Sequence, residues 1–118
     1  MNSEANPSSP PVNRLFLAVV QAQDADGAVS ALERRGFTVT RLPSQGGFLG
    51  RRNATLLVGL PEIREEQALQ DLRETCRQRV EYIAVPLESA PLALPVPTPV
   101  TVGGATVFSL VVEHFEEV

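Results

Sequence analysis

Cysteine and histidine occur once each, as Cys76 and His114, and tryptophan does not occur at all. One cysteine cannot close an internal disulfide, and with one histidine no recurrent zinc spacing can be assembled from a single chain. A structural metal, a redox staple and a cofactor are therefore not expected. Long apolar runs are also missing: no stretch approaches the roughly 18 residues that a membrane span needs. The polar, proline-rich start lacks the basic-then-apolar order of a secretory signal, so a cytoplasmic protein without membrane insertion is expected. A basic excess is absent as well. The formal net charge of -4 and a pI near 4.9 oppose general nucleic-acid binding, while leaving room for a local anion pocket.

The sequence is equally poor in catalytic patterns. No GxxxxGK[ST] is present, because the loop glycines Gly46, Gly47 and Gly50 are followed by Arg51 rather than by a lysine and a hydroxyl residue. A serine or cysteine nucleophile would need a histidine base. His114 stands instead in the terminal EHFEEV beside Glu113 and Glu116, which fits a surface or interface position. Glu65 and Glu66 open a helix, where they complement its dipole rather than form an acid/base pair. The chain is thus read as a non-enzyme.

With 118 residues, 43% of them hydrophobic, the chain can fill one core. Residues 1–13, MNSEANPSSPPVN, read as a loose tail, because Pro7, Pro10 and Pro11 interrupt helix and ladder bonding. One domain is expected over residues 14–118. LFLAVVQ from Leu15 suits a central strand, and Asp24 fits the N-cap of a helix. That helix has an apolar sector of Ala25, Ala28, Val29, Ala31 and Leu32, and Gly36 stops it.

FTVTRLP (37–43) alternates as a second strand with Phe37, Val39 and Leu42 inward. Ser44 to Asn53 forms a polar, glycine-rich connection, and ATLLVGL (54–60) is a third strand. Pro61 opens a second helix through residue 78, with Ile63, Ala68, Leu69, Leu72 and Cys76 inward. Val80 to Leu87 reads as a further strand. A segment punctuated by Pro86, Pro91, Pro95, Pro97 and Pro99 then leads to the closing strand ATVFSLVVEHF.

This order is that of an α+β, ferredoxin-like βαββαβ sandwich with one mainly antiparallel sheet and both helices on one face. Because LFLAVVQ and ATLLVGL are apolar on both faces, the second sheet face needs cover. A loop could supply it, and so could a symmetric trimer.

The candidate binding residues each admit two readings. Gly46 and Gly47 can bring backbone N–H groups to an anion or simply shape a turn. Phe48 can stack on a base or plug the core edge, and Asn53 can meet an adenine edge or cap a turn. Gly59 lacks a side chain where a flat ring could approach. Arg51 and Arg52 are possible phosphate partners or solvated loop residues, and Gly103 and Gly104 mark a bend or bulge before the last strand.

Four blocks carry a more specific signal: VVQAQDAD at 19–26, FTVTRL at 37–42, QGGFLGRRNAT at 45–55 and VGGATVF at 102–108. In order and spacing they resemble the cyclic di-AMP receptor proteins of the PII-like superfamily. The resemblance implies a homotrimer with ligand between neighbouring subunits and signalling through loops to a downstream protein that remains unknown. It also implies ligand contacts at Thr40, Gly47, Phe48, Leu49, Asn53 and Gly59, with backbone groups near Val39 facing the ligand. Two departures bear on the ligand. Thr38 stands where the family usually has a basic residue, and FLGRRNAT replaces FLRAGNTT, which puts Gly50 in a basic position and moves charge to Arg51 and Arg52. The competing expectations are a PII-type sensor of ATP and a small metabolite, and a trimeric structural scaffold that binds no nucleotide.

Overall fold

The computed structural model describes residues 10–48, 51–86 and 95–118. Its elements run β1 (Arg14–Gln21), α1 (Ala22–Arg34), β2 (Val39–Phe48), β3 (Arg51–Leu60), a 3-10 turn (Glu62–Arg64), α2 (Glu65–Thr75), β4 (Arg79–Pro86), β5 (Pro95–Val102) and β6 (Ala105–Val111). Strands β2, β3, β1 and β6 form, in that order, one antiparallel sheet. This is the ferredoxin-like order expected from the sequence, with β6 in the place of the fourth strand.

Alternation along β1 and β3 separates the two faces. Phe16, Ala18 and Val20 of β1 and Ala54, Leu56, Val58 and Leu60 of β3 are buried with Ala25, Ala28 and Leu32 of α1 and Ala68, Leu72 and Cys76 of α2. The opposite face carries Leu15, Leu17, Val19, Thr55, Leu57, Thr106, Phe108 and Leu110, which are partly or largely exposed.

Helix α1 ends as the glycine foretold. Gly36 has φ +92°, its N–H donates to the Glu33 carbonyl, and the Phe37 N–H donates to the Leu32 carbonyl at 3.1 Å. These two bonds satisfy carbonyls the last turn would leave open, and both Leu32 and Phe37 are buried beside them. Arg35 then forks onto the buried Asp71 of α2, with its Nε 2.8 Å from both carboxylate oxygens, which ties the two helices together.

Several expectations are corrected. The helix begins at Ala22 with Gln21 at its N-cap position, so Asp24 lies inside the first turn and is buried rather than capping. Ile63 is 78% exposed because it falls in the 3-10 turn, out of phase with the inward side of α2. Leu42 is 45% exposed because it shares the open face with Thr40.

The polar connection is also largely strand: β2 and β3 continue pairing to Phe48↔Arg51, with a register break between Pro43 and Gly47. The proline-rich segment is not merely irregular either, since Pro95–Val102 pairs antiparallel with β4 as a separate two-stranded sheet. Every second residue from Pro95 to Pro99 is proline, so all three missing N–H groups fall on one side of β5, where they cost no ladder bond.

Cys76 is buried, and desolvation raises its thiol pKa from the ordinary 9.0 despite the nearby Thr75 hydroxyl, which lowers it. Above pH 9.0 the unfolded chain releases this proton before the folded one does, so the stability this thiol contributes falls as pH rises through its folded value. Native protein at neutral pH is expected to resist alkylation by iodoacetamide and to label fully in denaturant, as read by intact mass.

Candidate functional site

The predicted binding residues gather into three places along the β2–β3 hairpin and its neighbours. Near the end of β1, Asn53 lies opposite Gln21. On its other side β2 is irregular: four steps from Pro43 to Gly47 are matched by two from Ala54 to Arg52. Such a bulge interrupts the ladder and re-aims side chains. Asn53 is half-buried, and among the described residues its side-chain amide makes no hydrogen bond, so it is not spent as a turn cap.

Thr40 forms the second place, exposed and opposite Leu57 on the open sheet face. Val39 points the other way and packs on the core, so only its backbone is available to a ligand. Gly59 lies two residues beyond Leu57. A Cβ there would come within 3.3 Å of the Val12 side chain, so the missing side chain makes room for the N-terminal segment. Asn53 and Gly59 are six residues apart on one extended strand, roughly 20 Å. Within one chain they do not line a common slot.

The third place is the hairpin end, where Gly47 pairs with Arg52 and Phe48 with Arg51. Arg52 is exposed. The side chains of Phe48 and Arg51, together with Leu49 and Gly50, lie outside the described residues.

Gly103 and Gly104 belong with Asn53 through a residue the sequence reading did not single out. The Gly103 N–H donates to Oε1 of Gln21 at 2.8 Å, and Gln21 is the direct cross-strand neighbour of Asn53. Both glycines have positive φ, +88° and +91°, and the Gly104 N–H donates to the Cys76 carbonyl. Beside them, Arg79 at the start of β4 donates from Nη2 to Oδ1 of the buried Asp24 at 2.8 Å and lies 3.3 Å from Glu81. The Asp24 hydrogen bond holds the Arg79 guanidinium more firmly protonated than usual. The β4–β5 arm is therefore fastened at its base, next to Asn53, by Gln21, Asp24 and Cys76. The available signal for Gln21 and Asp24 was their position in VVQAQDAD, where polar residues close a buried apolar run.

A Cβ on Gly103 would collide with the Arg77 carbonyl oxygen and stand 2.8 Å from Arg79 Nη1. Gly103→Ala is expected to destabilise the arm base by about 1–3 kcal/mol from backbone strain alone. The check is a lower thermal midpoint together with faster amide exchange along β5.

The family model for cyclic-di-AMP receptors matches residues 13–118. The chain belongs to the cyclic-di-AMP receptor family. Membership accounts for the spread of the four motif blocks over β1, β2, β3 and the approach to β6, and it makes the chain a receptor-type, nucleotide-binding protein. The fold is similar to the crystal structure of a functionally unknown protein from Pediococcus pentosaceus. That chain is 30% identical, with a TM-score of 0.73, and the match covers 92% of this receptor-family chain and 100% of the other. Among the described residues, no helix is long and apolar enough to cross a membrane.

Proposed function

We propose that this receptor-family chain is a cytoplasmic, PII-like homotrimer that binds cyclic di-AMP in clefts between subunits and passes the signal on through its loops, without chemistry on the ligand. The family match over residues 13–118 carries this reading. Two features of the fold support it. The open sheet face presents Leu15, Leu17, Val19, Leu57, Phe108 and Leu110, an apolar surface that closed cyclic assembly would bury. Thr40, Asn53 and Gly59 all lie along that face, so residues too far apart to meet within one chain can meet across a subunit boundary.

In this reading Asn53 hydrogen-bonds a purine edge, Phe48 and Leu49 contact the base, and the Gly47 backbone with Arg51 or Arg52 meets a phosphate. Gly103 and Gly104 set the neighbouring backbone. The segment before Asn13 is dispensable for assembly.

Light scattering is expected to give three times the chain mass at micromolar concentration. Calorimetry is expected to give binding of cyclic di-AMP in preference to cyclic di-GMP, ATP and ADP. A monomer would refute the intersubunit site. Tight binding of ATP with none of either cyclic dinucleotide would favour a PII-type metabolite sensor, and no nucleotide binding by a stable trimer would leave a structural scaffold.

A further inference from the structure

We propose that the outer edge of β4 is a docking strand for an extended, proline-free peptide segment of a partner protein, which adds to the arm as a third strand. Hydrogen-bond parity distinguishes the two edges of the arm. Pro86 lies directly opposite Pro95, and neither has an N–H. A hydrogen-bonded antiparallel pair exchanges two N–H···O bonds, so this pair is of the other type, and the two types alternate along the ladder. The pairs Ala84↔Pro97, Tyr82↔Pro99 and Val80↔Thr101 are then also non-bonded, with their main-chain groups turned away from the partner strand.

The two edges of the arm consequently differ. Along β5 the outward positions are Pro95, Pro97, Pro99 and Thr101, and only Thr101 has a donor to offer. Along β4, Val80, Tyr82 and Ala84 turn both N–H and C=O outward, away from β5. Proteins commonly blunt strand edges with proline or charge. Here one edge is blunted and the other is left complete.

The surroundings of the open edge fit a strand. Val80, Tyr82 and Ile83 are 57%, 71% and 49% exposed, giving apolar contacts on both faces of an added segment. The charged residues of β4 are engaged elsewhere, Arg79 with Asp24 and Glu81 with Arg79 and Gln23. Main-chain bonds would supply affinity and the alternating side chains selectivity.

A second copy fits less well. The proline edge prevents β4 of one copy from stacking on β5 of another. Pairing of β4 with β4 is two-fold, so on the trimer reading it cannot close within one trimer and would need a second trimer. The edge itself follows from the ladder and does not depend on that reading.

The test uses the full chain and an alternating Thr-Val peptide of about eight residues with lysine ends, compared with the same peptide N-methylated at alternate positions. In the free protein, the amides of Val80, Tyr82 and Ala84 are expected to exchange fast and those of Glu81 and Ile83 slowly. The plain peptide at millimolar concentration is expected to slow the first set several-fold, and the methylated peptide to leave it unchanged. Ala84→Pro removes an outward donor without breaking the hairpin ladder and is expected to weaken peptide binding about tenfold. Thr101→Pro, on the opposite edge, is expected to change nothing.

Protection of Val80, Tyr82 and Ala84 in the free protein that rises with protein concentration would overturn the proposal in favour of self-pairing. Lack of slowing by the plain peptide, slowing confined to β6, or equal binding by Ala84→Pro would overturn it outright. Cyclic di-AMP calorimetry on the same samples keeps its failure separate from failure of the ligand reading.

Discussion

Asn53→Ala is expected to weaken cyclic di-AMP binding by about 1–3 kcal/mol, or roughly five- to 150-fold in affinity, with the ligand-free thermal midpoint unchanged. The reason lies in what Asn53 does in the free protein. Its amide has no hydrogen-bond partner among the described residues, so truncation takes nothing from the fold, while in the complex it would leave a buried purine edge unmatched. Phe48→Ala is expected to lose a similar amount, about 1–3 kcal/mol, through base stacking. The decisive comparison is calorimetric affinity against ligand-free melting for each variant. A lower midpoint with affinity altered only in proportion would assign the side chain to a cap or a plug. Wild-type affinity in both variants would remove both residues from the site.

Phe16→Ala is expected to have the largest effect on stability, about 3–5 kcal/mol. Phe16 is 1% exposed and sits in β1, the strand that pairs with both β3 and β6. Its removal would open a cavity between the sheet and the helices where neighbouring strands cannot collapse without breaking register. The measurement is the urea midpoint at fixed protein concentration, because the proposed assembly would make apparent stability concentration-dependent. An unchanged slope with a lower midpoint is the expected result. A loss under about 1 kcal/mol would mean that the core relaxes around this position.

The two substitutions separate a distinction that is visible in the strand pattern. Phe16 and Leu56 face the helices, while Leu17, Leu57 and Asn53 face away from them on the same two strands. An apolar run such as LFLAVVQ declares burial on both faces, yet among the described residues only the helix side is fully covered. That excess is the physical reason to expect assembly, and a lone protomer leaves Phe108 at 53% and Leu110 at 47% exposed.

By itself the sequence determined the elements whose signals are local. Period-two apolar alternation marked β1 and β3, the 25, 28 and 32 spacing marked the buried side of α1, and Gly36 marked its end, because each rests on contacts within a few residues. The order of those elements was enough for the ferredoxin-like sheet, and the four motif blocks for the family. Tertiary structure alone decided the rest. Asp24 looked like a cap because helix starts are read locally, but Arg79, 55 residues away, draws it inward. The prolines of β5 looked like breaks because a lone chain offers them no ladder, and pairing with β4 turned all three to one edge. Asn53 and Gly59 each offered a place for a base to approach, and only the extended β3 shows that they stand well apart, since a strand advances roughly 3.3 Å with every residue.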